Sequence, residues 1–282
     1  MRVSWQSFKS DGRAVEGQVF EPDQPSHKLI LFCPGFPGAG ATVFEQRHAA
    51  SLAEAGYTLV VLKHSGTRLQ GPQAPQMINN AARLMQARAN GETHLGGGPS
   101  TVEDWLLEPL TALKILSEKF ETIDIIGNSF GALSSMWSLT MPDAPLTRIR
   151  TLLLMAGAQG FHGGGNPADV MRIWRPEFVS VTRITEKVTL NEPEQVVSAI
   201  RRCYQELPIR MKDLTLDIQL KYLVVTRDEL LHLPDTEEFQ AAIGGRGEII
   251  IDDLDQGYPE HNLLAHDMPD YPTENLLKIL QG

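Results

Sequence analysis

The chain has only two cysteines, Cys33 and Cys203, too few for a disulfide framework. It has no apolar run approaching the roughly 18 residues that a membrane-spanning helix needs, so no membrane span is expected. Its opening run, MRVSWQSFKSDGRAVEG, lacks the apolar core of a secretory signal, and a cytoplasmic location is expected. Positive charge is scarce and scattered: 25 Lys and Arg stand against 35 Asp and Glu, with no basic stripe, which excludes a nucleic-acid footprint. The eight histidines form neither an HExxH helix pattern nor a Cys/His pattern with zinc spacing, so neither a metal nor another cofactor is expected.

What is present is the composition of a globular protein. Of the 282 residues, 42% are hydrophobic, enough for one large domain that buries its core without metals or disulfides. Two short alternating runs, Ser4 to Lys9 and Ala14 to Phe20, flank Asp11-Gly12 and predict an antiparallel hairpin. Then come runs suited to strands buried on both faces: KLILFC from Lys28, YTLVVL from Tyr57, TIDII from Thr122, RTLLLM from Arg150, KYLVVT from Lys221 and EIII from Glu248. Helix-compatible sequence lies between them, at 42–55, 101–119 and 129–139 among other places. Antiparallel strands followed by repeated strand–helix units predict an α/β fold, with a mostly parallel sheet covered by helices on both faces.

Two segments break this rhythm. Residues 70–100 carry Pro and Gly at both ends around a helical stretch at 78–89. Residues 161–214 lie between two sheet strands and read as helices and loops, which marks them as a small, mainly helical cap inserted into a core formed by 1–160 and 215–282.

The chemistry-bearing motif is Gly127-Asn128-Ser129-Phe130-Gly131. The pattern G-x-S-x-G is weak alone, but here a buried strand runs into it and a helix leaves it. Side chains at 127 and 131 would collide with backbone at so sharp a turn. The serine also falls at a helix N-terminus, whose free N–H groups and dipole favour developing negative charge.

The strand order, the GNSFG elbow and Cys33-Pro34-Gly35-Phe36-Pro37-Gly38 after an earlier strand resemble the α/β-hydrolase superfamily, most nearly its lipase, esterase and serine-aminopeptidase branches. The resemblance spans nearly the whole chain outside 161–214. It implies a serine hydrolase that takes a small-molecule acyl substrate through an acyl-enzyme, with Ser129 as nucleophile. The oxyanion donors it implies are the N–H of Phe130 and the N–H of Phe36, with Pro34 where the family commonly has His. In family order the acid follows the strand KYLVVT, giving Asp228 with Glu229 as the alternative. The base follows the last strand, giving His261 with His266 as the alternative. His64, after the fourth strand, is expected to line the substrate site. Trp174 and Phe178 of the cap, with Met171 and Ile173, suit either an apolar acyl pocket or the cap's own core. His162-Gly163-Gly164-Gly165 mimics an oxyanion motif of some esterases but follows the nucleophile, and reads as a hinge into the cap. A carboxylic ester is the expected substrate class. A peptidase, thioesterase or acyltransferase with the same triad, or a silent ligand-binding protein of the same fold, would present the same order of residues.

Overall fold

The computed structural model describes residues 1–36, 38, 40–65, 68–69, 94–95, 101–157, 174, 192–214, 217–225, 233–252 and 270–282. The chain opens on a hairpin of β1 (Arg2–Ser10) and β2 (Arg13–Glu21), with Ser10 opposite Arg13. Asp11 and Gly12 between them both take positive φ, 50° and 74°, as a two-residue type I′ loop requires. There follow β3 (Lys28–Cys33), α1 (Gly40–Glu54), β4 (Thr58–Lys63) and a two-residue pair, β5 (Arg68–Leu69) with β6 (His94–Leu95). Next come α2 (Val102–Leu106), α3 (Glu108–Leu116), β7 (Thr122–Asn128), α4 (Phe130–Leu139) and β8 (Ile149–Met155). The chain closes with α5 (Pro193–Asp213), β9 (Gln219–Val225), α6 (Leu233–Ala242), β10 (Glu248–Asp252) and α7 (Thr273–Gln281).

Eight strands form one sheet in the order β1-β2-β4-β3-β7-β8-β9-β10. β2 pairs antiparallel with β4, and from β4 onward every pair is parallel. Side chains alternate across a pleated strand, so a strand buried on both faces feeds two cores. In β3, Leu29, Leu31 and Cys33 join one core with Trp105, Leu113, Met136 and Ile200, whereas Ile30 and Phe32 join the other with Phe44, Leu52 and Leu276. The helices α2–α6 thus cover one face, and α1 and α7 the other.

One expected helix is two. The stretch expected to run from 101 to 119 breaks at Leu107 (φ −106°, ψ 2°) because Pro109 stands in the first turn of α3. Proline has no N–H and its ring collides with the carbonyl four residues back, here that of Trp105. At the N-terminus of α2, Thr101 and Asp104 form a reciprocal capping box. Of the segment expected as a cap, α5 packs on α4, burying Val196, Ile200, Cys203, Tyr204, Leu207 and Met211 in the first core. Trp174 is also described. The remainder of 161–191, and the helix expected over 78–89, lie outside the described residues. Among the described residues no helix is long and apolar enough to cross a membrane.

Burial has a consequence at high pH. It pushes the Cys33 and Cys203 thiols up to about 12 and also raises Tyr204, Tyr222 and Tyr271. A group whose folded pKa lies above its unfolded value contributes stability that is intact below the unfolded pKa and is lost as pH rises through the folded one. Lys63, pushed down by burial, acts in the opposite sense and only partly offsets five acidic groups. Thermal melts are therefore expected to show Tm falling steadily from about pH 9 toward pH 12. Iodoacetamide at pH 8 is expected to modify neither thiol until denaturant is added.

Candidate active site

β7 ends at Asn128 and α4 begins at Phe130, so Ser129 alone turns the chain. Its backbone has φ 53° and ψ −115°, a conformation that costs a non-glycine residue about 1–3 kcal/mol. The surroundings hold it there. The Ser129 N–H donates to the Met155 carbonyl at 2.9 Å, and the Ser129 carbonyl accepts from the Ala132 N–H at 3.0 Å. Gly131 lets the first turn of α4 press onto the end of β3: a Cβ there would lie 1.9 Å from the Cys33 carbonyl oxygen and 2.8 Å from that of Pro34. The elbow and the loop after β3 are thus locked to each other by a missing methyl group.

The sheet order puts these two loops together. From β3 the chain first winds outward to β4, then crosses back to β7 on the other side, so the loops after β3 and β7 leave adjacent strand ends in diverging directions. Ligand crevices of open α/β sheets form at such a switch point. Here Gly35 sits against the elbow, with the position of a Cβ on it 3.1 Å from the Ser129 Cβ and 3.2 Å from Asn128 Nδ2. The next residue, Phe36, packs its ring edge-on to Phe130 (centroids 6.1 Å apart) and to Trp174 (5.4 Å). Trp174 also meets Phe130 at 5.9 Å, and its indole N–H donates to the Tyr204 hydroxyl at 2.7 Å. That bond ties residue 174 to α5. The result is an aromatic wall beside the serine.

His64, just past β4, is 3% exposed. Its ring stacks on Trp105 at 4.3 Å with 8° between planes. Nδ1 lies 2.6 Å from Glu108 Oε2, and Nε2 lies 3.3 Å from the Gly35 carbonyl oxygen. The other Glu108 oxygen accepts from the Ser65 N–H at 2.8 Å and the Ser65 hydroxyl at 2.9 Å. On the far side of β4, buried Lys63 pairs with Glu45 of α1.

The structure therefore gathers Ser129, Phe36, Phe130, His64 and Trp174 into one neighbourhood. The His64 ring nitrogens are engaged by Glu108 and Gly35 rather than turned to solvent. Asp228, His261 and Phe178, with the alternatives Glu229 and His266, lie outside the described residues. The strands that precede them end on the same side of the sheet as the elbow: β8 ends level with β7, Asn128 pairing with Met155, and β9 and β10 run two residues past that level, where Met155 pairs with Leu223 and Leu223 with Ile250. Sequence reasoning passed over Glu108 and Trp105. The available signal was a lone carboxylate, Glu108, inside the otherwise apolar run LLEPLTAL. Among the described residues no three His, Cys, Asp or Glu side chains are grouped to hold a metal ion.

No protein-family model matches the chain, and no curated protein sequence matches it. Solved structures do. A carboxylesterase structure from the ammonia-oxidizing thaumarchaeon Nitrososphaera gargenis aligns with a TM-score of 0.59 at 13% identity, covering 98% of this chain and 97% of that one. The α/β-hydrolase GrgF from Penicillium sp. sh18 aligns with a TM-score of 0.60 at 12% identity, covering 100% and 97%. A bromoperoxidase from Bacillus anthracis aligns with a TM-score of 0.57, also at 12% identity, covering 99% and 100%. End-to-end coverage, the strand order and the strained serine between β7 and α4 agree: the chain has the α/β-hydrolase fold.

Proposed function

We propose that the chain is a serine hydrolase that cleaves a carboxylic ester through an acyl-enzyme. Ser129 Oγ attacks the ester carbonyl carbon while His261 takes its proton, and Asp228 holds the imidazole and stabilises the imidazolium. The carbonyl electrons move onto oxygen, and the N–H groups of Phe36 and Phe130 receive that oxyanion. Collapse expels the alcohol, which leaves with the proton from His261. Water, deprotonated by the same histidine, then releases the acid and restores Ser129.

The observation that carries this reading is the strained φ of Ser129 beside Gly35. Strain at a single serine, held by backbone contacts on both sides, has a reason if the hydroxyl must stand clear of the sheet next to two N–H donors. The Phe36, Phe130 and Trp174 rings favour an apolar acyl group, with Phe178 of the 161–214 cap as a further contributor. A carboxylesterase among the structural neighbours agrees with the ester as substrate class.

The test is an assay of p-nitrophenyl esters of graded acyl length on the wild type, His261→Ala, His266→Ala and Asp228→Asn. His261→Ala and Asp228→Asn are expected to lose about 10³-fold or more in kcat, and His266→Ala to match the wild type. Full activity in His261→Ala with loss in His266→Ala would move the base to His266. A folded wild type inert toward every ester would reject the reading.

A further inference from the structure

His64 and Glu108 have no part in the proposed triad, yet they form a buried polar unit next to the elbow, and their geometry gives them a task. This inference rests on the hydrolase reading above. A carbonyl oxygen only accepts, so the contact between His64 Nε2 and Gly35 O requires a hydrogen on Nε2. One Glu108 oxygen accepts from the N–H and hydroxyl of Ser65, and the other lies 2.6 Å from His64 Nδ1, so the ring is held at both nitrogens. The ring cannot swing away from this pose: Trp105 lies flat against one face, and Phe130 stands edge-on at 5.6 Å. Glu108 itself is 4% exposed and sits in the first turn of α3, anchored in the core.

We propose that His64, held by Glu108, is a positioning residue for the oxyanion hole, fixing the Phe36 N–H through the carbonyl of the same peptide unit. The carbonyl of Gly35 and the N–H of Phe36 are the two ends of one peptide plane. In a trans peptide they point in opposite directions, so a bond that fixes one fixes the other. A donor backed by a carboxylate also draws electron density toward the carbonyl oxygen and leaves the N–H a stronger donor. Gly35 abuts Ser129, so a rotation of this plane moves the donor relative to the nucleophile directly. Electrostatic stabilisation depends on donors already aimed at the developing charge, and a donor free to tilt loses most of its value.

The test compares His64→Gln and His64→Asn, which bury similar amides but put the N–H donor in different places. The Gln amide reaches the position of Nε2 and the Gly35 carbonyl; the shorter Asn amide reaches only the position of Nδ1. Each variant is assayed with a p-nitrophenyl ester and with an alkyl trifluoromethyl ketone, which adds to a nucleophilic serine as a tetrahedral oxyanion. His64→Asn is expected to lose about 10- to 100-fold in kcat, with KM changed less than about 3-fold and the ketone weakened by the same factor as kcat. His64→Gln is expected to recover most of both. Thermal melts of the two variants confirm equal folding, and Glu108→Gln is expected to fall between them.

Equal kcat and equal ketone affinity in His64→Asn and the wild type would overturn the inference while leaving the hydrolase reading intact. So would a parallel loss in His64→Gln and His64→Asn. A wild type inert to both ester and ketone would overturn the hydrolase reading and the inference with it.

Discussion

Ser129→Ala is expected to lower kcat/KM for an activated ester by about 10⁴- to 10⁶-fold with Tm within a degree or so of wild type. The substitution keeps the Cβ and removes one oxygen. The elbow is held by backbone groups that alanine retains: the N–H bond to Met155, the carbonyl bond from Ala132, and the fit of Gly131 on Cys33. The strain at φ 53° stays because a Cβ stays. Ser129→Gly separates strain from chemistry. Glycine adopts this conformation freely, which releases about 1–3 kcal/mol and costs about 0.5–1 kcal/mol in unfolded-state entropy. The glycine variant is expected to be as inactive as the alanine variant yet to melt higher, by about 2–4 °C for each kcal/mol gained. Differential scanning calorimetry of the two variants checks this. A glycine variant that melts lower than wild type would mean the elbow stores no strain at this residue.

Gly131→Ala carries the largest expected structural effect. The added methyl would lie 1.9 Å from a backbone carbonyl oxygen at the end of β3 and 2.5 Å from its carbon, and neither can turn aside as a side chain can. Either α4 lifts from the sheet or the loop after β3 moves away from Ser129. Overpacking against backbone is expected to destabilise by at least about 3 kcal/mol, lowering Tm by roughly 6–12 °C. Because both routes part the elbow from Phe36, whatever folded protein remains is expected to lose kcat as well. Gly12→Ala is the control. Gly12 also has positive φ, 74°, but no atom lies within 4 Å of the added Cβ, so about 1 kcal/mol is expected and no change in kcat. Equal Tm in the two variants would contradict the close approach at Gly131.

The sheet was legible because its central strands β3, β4, β7, β8 and β9 are buried on both faces, so KLILFC or TIDII announces itself without reference to any partner; EIII departs from that expectation, because β10 is the sheet's edge strand and leaves Ile251 52% exposed. The hairpin was legible because Asp11-Gly12 encodes its own turn. The strand–helix elbow at Ser129 was legible because its motif is local and its strand and helix adjoin it. The split of α2 from α3 was recorded at Pro109 but outweighed by the helical spacing of Leu106, Leu110 and Leu113. The pairing of Glu108 was not legible. Its partners His64 and Ser65 lie 44 and 43 residues away in the chain, and no local pattern joins a carboxylate in an apolar helix to a histidine past a strand. The tie between Trp174 and Tyr204 was hidden for the same reason, at 30 residues' separation. Local signals mark elements and motifs; the polar contacts that hold a site together are non-local and emerge only with the fold.

The most direct test is to find where a serine-directed electrophile bonds. Wild-type protein is treated with a fluorophosphonate, digested, and the adduct located by mass spectrometry. The expected result is one adduct per chain on the peptide containing Ser129, absent from Ser129→Ala. An adduct on another residue that persists in Ser129→Ala, or ester hydrolysis by wild type that survives without modification of Ser129, would contradict its assignment as the nucleophile.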